Sequence, residues 1–212
     1  GNVMIDTLEH CLGQSVPATQ TLAGLPHHDL FLEGGSGYCV LTLHRPSNVD
    51  DPEVFSSILD TVRTVSESIP VVFPVHPRTQ NRMAELGLQQ VLESDSIACL
   101  QPLGYLEMLG LISGARLVMT DSGGLQEETT VVGVPCITLR DNTERPVTVD
   151  QGTNTIVGQD RSQIFAVMKD VLNNGGKQGR VPELWDGRAA ERIKRILNVW
   201  LQQHRSPMAA AG

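Results

Sequence analysis

From about residue 38 to residue 175, short apolar runs rich in β-branched residues alternate with longer stretches of helical period. A chain patterned in this way has few folds open to it, because each run is apolar throughout, as a strand covered on both faces must be. The runs are Cys39 to Leu43, Val71 to Val75, Ile97 to Leu100, Leu117 to Thr120, Cys136 to Leu139 and Thr155 to Val157. Alternation with helices predicts an α/β protein: a Rossmann-like, doubly wound parallel sheet of about six strands. Behind the first run, Asp51 is a good N-cap and Pro52 a good first helical residue. Val54, Phe55, Ile58, Leu59, Val62 and Val65 then recur at helical spacing. Further helices are predicted over Thr79 to Glu93, Leu106 to Leu111, Leu125 to Val132 and Ser162 to Leu172. The last has Asp160 and Gln163 as a capping box and Gly175-Gly176 as its stop.

The ends stand outside this alternation. Residues 1–36 read as an amino-terminal helix followed by a linker that runs into Gly34-Gly35-Ser36-Gly37. Residues 37–203 form the α/β domain, closed by an arm helix over 188–203. Ile193, Ile196, Leu197, Trp200 and Leu201 make one face of that helix, so Trp200 is expected to be a packing anchor. Residues 204–212 read as a disordered tail. A length of 212 residues fits one domain with an appended arm. Sixteen Lys and Arg against 24 Asp and Glu give a net charge of -8, which argues against a nucleic-acid partner or an anionic membrane surface. No apolar run approaches membrane-spanning length and no signal-peptide pattern opens the chain, so the expected location is cytoplasmic. Cys11, Cys39, Cys99 and Cys136 show no metal spacing and read as buried free thiols.

Ligands of an open parallel sheet bind at the carboxyl ends of its strands, and four such junctions are polar here. After Leu117 to Thr120 come Asp121, Ser122, Gly123 and Gly124. These small residues at a strand-to-helix turn can hold a phosphate with backbone N–H groups and the helix dipole. A tight turn capped by Asp121 or Ser122 explains the same residues equally well. Neither a Gly-x-Gly-x-x-Gly sequence nor a Walker sequence is present. After the first run stand His44 and Arg45, a proton-transferring group beside a fixed cation; a solvated loop is the plain alternative. His76, Pro77 and Arg78 repeat the pairing one strand along. The segment Arg140 to Pro146 adds further charge. Together the four junctions favour an anionic, phosphorylated ligand.

His44-Arg45, Pro74-Val75-His76-Pro77, Asp121 to Glu128, Thr143-Glu144-Arg145-Pro146 and Gly152-Thr153-Asn154 occur in the order and spacing of the non-hydrolysing UDP-N-acetylglucosamine 2-epimerases. From about residue 1 to 203 the chain resembles the carboxyl-terminal domain of that family. The resemblance implies the second half of a glycosyltransferase-B-like two-domain fold. It also implies interconversion of UDP-GlcNAc and UDP-ManNAc, by elimination of UDP and its re-addition after the C2 proton has returned on the other face. By similarity, His44 is the active-site histidine, and Ser122, Gly123, Gly124 and Arg145 hold the diphosphate. Glu128 accepts from the ribose hydroxyls, Leu103 and Met108 contact uracil, and Arg45 and His76 match positions that hold an allosteric UDP-sugar in bacterial relatives. No cofactor or metal is implied. The carboxylates acting at C2 belong to the family's other domain, so the implied partners are a UDP-sugar, that amino-terminal domain and a second copy in a homodimer. Pro46 and Ser47 stand where the family often has Arg then Glu, and Val147 where it often has Glu. An epimerase of another UDP-acetamido sugar, a glycosyltransferase half and a non-catalytic UDP-binding module therefore remain alternatives.

Overall fold

The computed structural model describes residues 1–204, and the expected tail past His204 lies outside them. The strands are β1 (Cys39–Thr42), β2 (Val71–Pro74), β3 (Ile97–Leu100), β4 (Leu117–Thr120), β5 (Cys136–Thr138) and β6 (Asn154–Ile156). Each matches its apolar run to within one or two residues. All neighbours pair in parallel, in the order β3-β2-β1-β4-β5-β6. That order reverses direction between β1 and β4, which opens a crevice at their carboxyl ends.

Side chains alternate across the strands and build two cores. Leu41, Phe73, Met119 and Ile137 face one layer with Phe55, Leu59 and Ile164; Val40, Val72 and Val118 face the other with Leu111 and Ile112. The helices, in chain order, are α1 (Val3–Leu12), α2 (Ala18–Leu22), α3 (His28–Leu32), α4 (Pro46–Val49), α5 (Pro52–Ser66), α6 (Pro77–Leu86), α7 (Tyr105–Gly114), α8 (Gly123–Val132), α9 (Pro146–Asp150), α10 (Arg161–Asn174) and α11 (Ala189–Gln203). The doubly wound expectation holds.

Local chemistry sets most of the helix ends. The Asp51 carboxylate accepts from the N–H groups of Glu53 and Val54 at 2.9 and 3.1 Å, which starts α5 where the cap was expected. The helix expected over Thr79 to Glu93 is cut short: α6 ends at Leu86 because Gly87 turns left-handed with φ of 67°. A separate 3-10 turn over Gln89–Leu92 follows. Asp160 caps α10, but Gln163 turns its amide to the Asp160 carboxylate at 3.2 Å rather than to the backbone, so the capping box is only half made.

Three expectations need correction. Most of the supposed linker is packed structure, for Ile5, Leu8, Leu22 and Phe31 are all at most 2% exposed. Only Glu33 to Gly37 connects without regular structure. The thiols are free but not all buried: Cys39 and Cys136 are, Cys11 is half-buried, and Cys99 is exposed on edge strand β3. On α11 the apolar stripe is bare, with Ile196 65% and Trp200 53% exposed. Within this chain Trp200 stacks only on His204, with ring centroids 4.5 Å apart. The root of α11 is firm, because the Asp6 carboxylate accepts from the N–H groups of Ala189 and Ala190 at 2.9 and 2.6 Å. No helix among the described residues is long and apolar enough to cross a membrane.

Packing of the amino-terminal helices has a measurable consequence. Phe31→Ala should lower stability by about 3 to 5 kcal/mol in urea unfolding, the usual cost of emptying a buried aromatic site. A loss under 1 kcal/mol would return this segment to a linker.

Candidate functional site

At the point where the strand order reverses, the carboxylate of Asp121 is fully buried just after β4. It accepts from the N–H of His44 at 3.0 Å, from the N–H of Arg45 at 2.8 Å and from the Asn48 amide at 3.2 Å. Its other oxygen lies 2.9 Å from His44 Nδ1. Asn48 also donates to the Leu139 carbonyl at 2.9 Å, and the hydroxyls of Thr42 and Thr120 meet at 2.6 Å. The ends of β1, β4 and β5 are thereby fastened to one acid. Burial would raise the Asp121 pKa, but the His44 side chain and the backbone N–H groups of Arg45 and His44 outweigh it. The carboxyl is held below its ordinary value.

These contacts also set the histidine tautomers. A neutral His44 carries its proton on Nδ1, towards Asp121, and keeps the Nε2 lone pair for the crevice. His76 is the reverse: its Nδ1 accepts the Arg78 N–H at 3.2 Å, so Nε2 carries the proton. The two rings are 5.4 Å apart.

Beside this pair begins α8. Ser122 is its N-cap residue, yet the hydroxyl makes no capping bond, which leaves it and the first-turn N–H groups available to an anion. A Cβ built at Gly124 would come no nearer than 3.8 Å to any neighbour, and one at Gly123 no nearer than 3.6 Å. Packing does not require these glycines. Their bareness keeps the helix end open, as a phosphate cradle needs.

The next turn carries Gln126, Glu127 and Glu128, each at most 7% exposed. Gln126 Oε1 accepts from the Thr143 hydroxyl at 2.5 Å and the Asn154 amide at 3.2 Å. Thr143 in turn accepts the Arg145 N–H at 2.9 Å, fixing that loop beside α8. Glu127 Oε1 binds Arg145 Nε at 2.7 Å. Glu128 is pushed up to about 7, chiefly by burial; the Tyr105 hydroxyl opposes this and the Glu127 charge adds to it.

All the expected site residues stand on the carboxyl edge of the sheet: His44 and Arg45 after β1, His76 after β2, Leu103 and Met108 around the start of α7, Ser122 to Glu128 after β4, and Arg145 after β5. Leu103 and Met108 are partly buried against the second core. No hydrogen bond among the described residues joins Arg45 to His76. Two of the cations in the polar junctions are committed elsewhere: Arg78 to Asp50 at 2.8 Å and Arg140 to Glu144 at 2.9 Å. The tethering role of Asp121, the buried pair Gln126 and Glu127, and Tyr105 beside Glu128 were missed by sequence reasoning. Two adjacent polar residues following Leu125 inside a helix expected to pack on a sheet were the available signal.

A family model described as UDP-N-acetylglucosamine 2-epimerase matches residues 1–198. The chain belongs to that family. A UDP-N-acetylglucosamine 2-epimerase of Methanocaldococcus jannaschii is 42% identical over 163 residues, which is 76% of this chain and 44% of that protein. A crystal structure of the Methanocaldococcus jannaschii UDP-GlcNAc 2-epimerase, in complex with UDP-GlcNAc and UDP, superposes with a TM-score of 0.77 at 36% identity, covering 94% of this chain and 54% of the other. A UDP-2,3-diacetamido-2,3-dideoxy-D-glucuronate 2-epimerase of Pseudomonas aeruginosa is 37% identical over 172 residues, 78% of this chain and 46% of that protein. The chain thus spans about half the length of the curated relatives it matches.

In this epimerase-family domain, Asp121→Asn should cost about 2 to 4 kcal/mol, because an amide cannot satisfy the donors converging on that site. Asp121 is a depressed carboxylate, so its stabilisation is present above the ordinary carboxylate pKa and is lost as pH falls through the lowered folded value. Urea titrations between pH 2 and 7 should show that part of the acid dependence in the wild type and not in the variant. Parallel curves for the two proteins would remove Asp121 as its source.

Proposed function

We propose that this chain is the nucleotide-binding half of a UDP-N-acetylglucosamine 2-epimerase. One arrangement carries the reading: a bare helix N-terminus at Ser122 to Gly124, the buried Glu128 one turn on, and Arg145 held against the same helix by Glu127. Family membership supplies the sugar class.

In this reading the N–H groups at Ser122 to Gly124 and the Arg145 guanidinium take the diphosphate. Glu128 accepts from the ribose hydroxyls, and Leu103 and Met108 lie against uracil. Elimination breaks the bond from C1 to the UDP oxygen while a proton leaves C2. The cradle stabilises the charge that gathers on UDP. His44 Nε2, with Asp121 fixing the ring, supplies a proton-transferring group at the crevice. Return of the C2 proton to the opposite face and re-addition of UDP complete the epimerisation. Arg45 and His76 are assigned to a second UDP-sugar; the Methanocaldococcus jannaschii structure, which contains both UDP-GlcNAc and UDP, is consistent with two ligands in the family.

Catalytic carboxylates at C2, a second α/β domain covering the stripe on α11, assembly as a homodimer and work in the cytoplasm belong to the same proposal. A second reading, epimerisation of a different UDP-acetamido sugar, draws on the Pseudomonas aeruginosa relative and on Pro46, Ser47 and Val147, which depart from the family's usual residues.

With one wall of the cleft, the 212-residue chain should bind UDP with a Kd of about 0.1 to 10 mM. Glu128→Ala should weaken UDP by ~1 to 2 kcal/mol and leave pyrophosphate unchanged, read by NMR shift perturbation. Since Glu128 loses its proton near pH 7, uridine affinity should rise about tenfold from pH 6 to 8 as the carboxylate forms, and Glu128→Gln should flatten that rise. Equal loss of UDP and pyrophosphate on removing Glu128 would take it off the ribose.

The same chain should show no epimerase turnover at high protein concentration in a coupled assay for free UDP or the epimer. Clear turnover would place the C2 base among His44, His76 and the carboxylates of this chain.

A further inference from the structure

Glu127 does something that the assigned ligand contacts leave unexplained. It is 3% exposed and sits at the centre of three elements. One carboxylate oxygen, Oε1, accepts both Arg145 Nε at 2.7 Å and the Asn2 amide at 2.9 Å. The other, Oε2, is buried with no hydrogen-bond partner. Holding a carboxylate inside with one oxygen unpaired costs stability, so folding alone is a poor reason for it.

The geometry shows what the residue controls. Engaging Arg145 through Nε fixes the plane of the guanidinium and directs its outer edge away from Glu127. On that edge Nη1 reaches only the Glu144 carbonyl at 3.3 Å, and the side chain is 40% exposed. Gly123 lies beside it, since a Cβ there would stand 4.0 Å from Arg145 Cγ. The guanidinium is therefore aimed along the bare start of α8.

Asn2 extends the chain of contacts. Its Oδ1 caps α1 by accepting the Met4 N–H at 2.9 Å while its Nδ2 donates to Glu127. The seat of α1 on α8 and the aim of Arg145 thus share one oxygen atom.

We propose that Glu127 is the positioning residue of the diphosphate site, acting through Arg145, and that Asn2 couples the placement of α1 to that cation. The proposal rests on the reading that Ser122 to Gly124 and Arg145 bind a nucleoside diphosphate. It predicts that Glu127 matters to the phosphates and not to the nucleoside, and only while Arg145 is present.

A double-mutant cycle on the 212-residue chain tests this, with UDP and uridine titrated by NMR into the wild type, Glu127→Gln, Arg145→Ala and the pair. Glu127→Gln should weaken UDP about five- to tenfold and leave uridine within twofold. The double variant should bind UDP no more weakly than Arg145→Ala alone, which a merely structural role would not produce. Asn2→Ser keeps a capping oxygen for α1 but loses the reach to Glu127, and should weaken UDP two- to threefold with uridine unchanged. If Glu127→Gln does not fold, Asn2→Ser decides. Losses that add in the double variant, or equal losses of UDP and uridine in any of these variants, would overturn the positioning role and leave the nucleotide site standing. Failure of the wild type to bind UDP at 10 mM would overturn both.

Discussion

A buried carboxylate at the rim of a parallel sheet is costly unless donors surround it. Asp121 meets that condition with backbone N–H groups of the β1 exit, an imidazole and the Asn48 amide. The remaining order of the site depends on this solution. Because the donors come from the loop after β1 and the acceptor from the end of β4, the two strands on either side of the reversal cannot drift apart without stranding a charge. Asn48 carries the constraint on to β5 through the Leu139 carbonyl. His44 is oriented as a by-product of holding the sheet edge together, and a rigid imidazole with a defined tautomer is what proton transfer requires.

The second constraint is angular. Consecutive helical residues point about 100° apart, so Gln126, Glu127 and Glu128 leave α8 in three directions, yet all three are buried. That is possible only where a helix is covered on most of its circumference. Here α1, α7 and α9 pack around it together with the sheet. Each polar side chain meets a different neighbour: Gln126 the loop carrying Thr143, Glu127 the pair Asn2 and Arg145, and Glu128 the region of Tyr105. The corrected amino-terminal segment matters for this reason. Without α1 seated on α8, Glu127 would face water, and its hold on Arg145 would be a surface ion pair of little worth.

Strand positions were legible because a buried parallel strand has one chemical requirement, continuous apolarity, and the runs at residues 39, 71, 97, 117 and 136 meet it without ambiguity. Helix ends were legible where a single residue sets them, as Asp51 does for α5, and were overrun at Gly87, where a left-handed glycine ended a stretch whose apolar period continued. Short helices were lost between Pro17 and Leu32, since five-residue elements carry too little period to stand out and proline with histidine reads as coil. The junction residues were visible as types at strand ends. Their pairings were not, because the partner of His44 lies 77 residues away and that of Asn2 lies 125 away. Charge counting likewise overstated the cations, as Arg78 and Arg140 are neutralised by Asp50 and Glu144.

An anion site in a chain of net charge -8 has to be local. Solvent and salt screen the distant acids over about 8 to 10 Å, so the groups that count are those around the start of α8. There Asp121 is compensated by donors and Glu127 by Arg145, which leaves Glu128 as the carboxyl able to oppose an arriving diphosphate. Burial lifts Glu128 to about 7, and near neutrality it is therefore part protonated, so its repulsion is partly suppressed when no ligand is bound. Under the proposed reading, ribose hydroxyls donating to it would favour the ionised form and release that proton on binding. Both tasks are met by one buried acid: it costs the incoming phosphates little while the site is free, and becomes a strong acceptor once the nucleoside is seated.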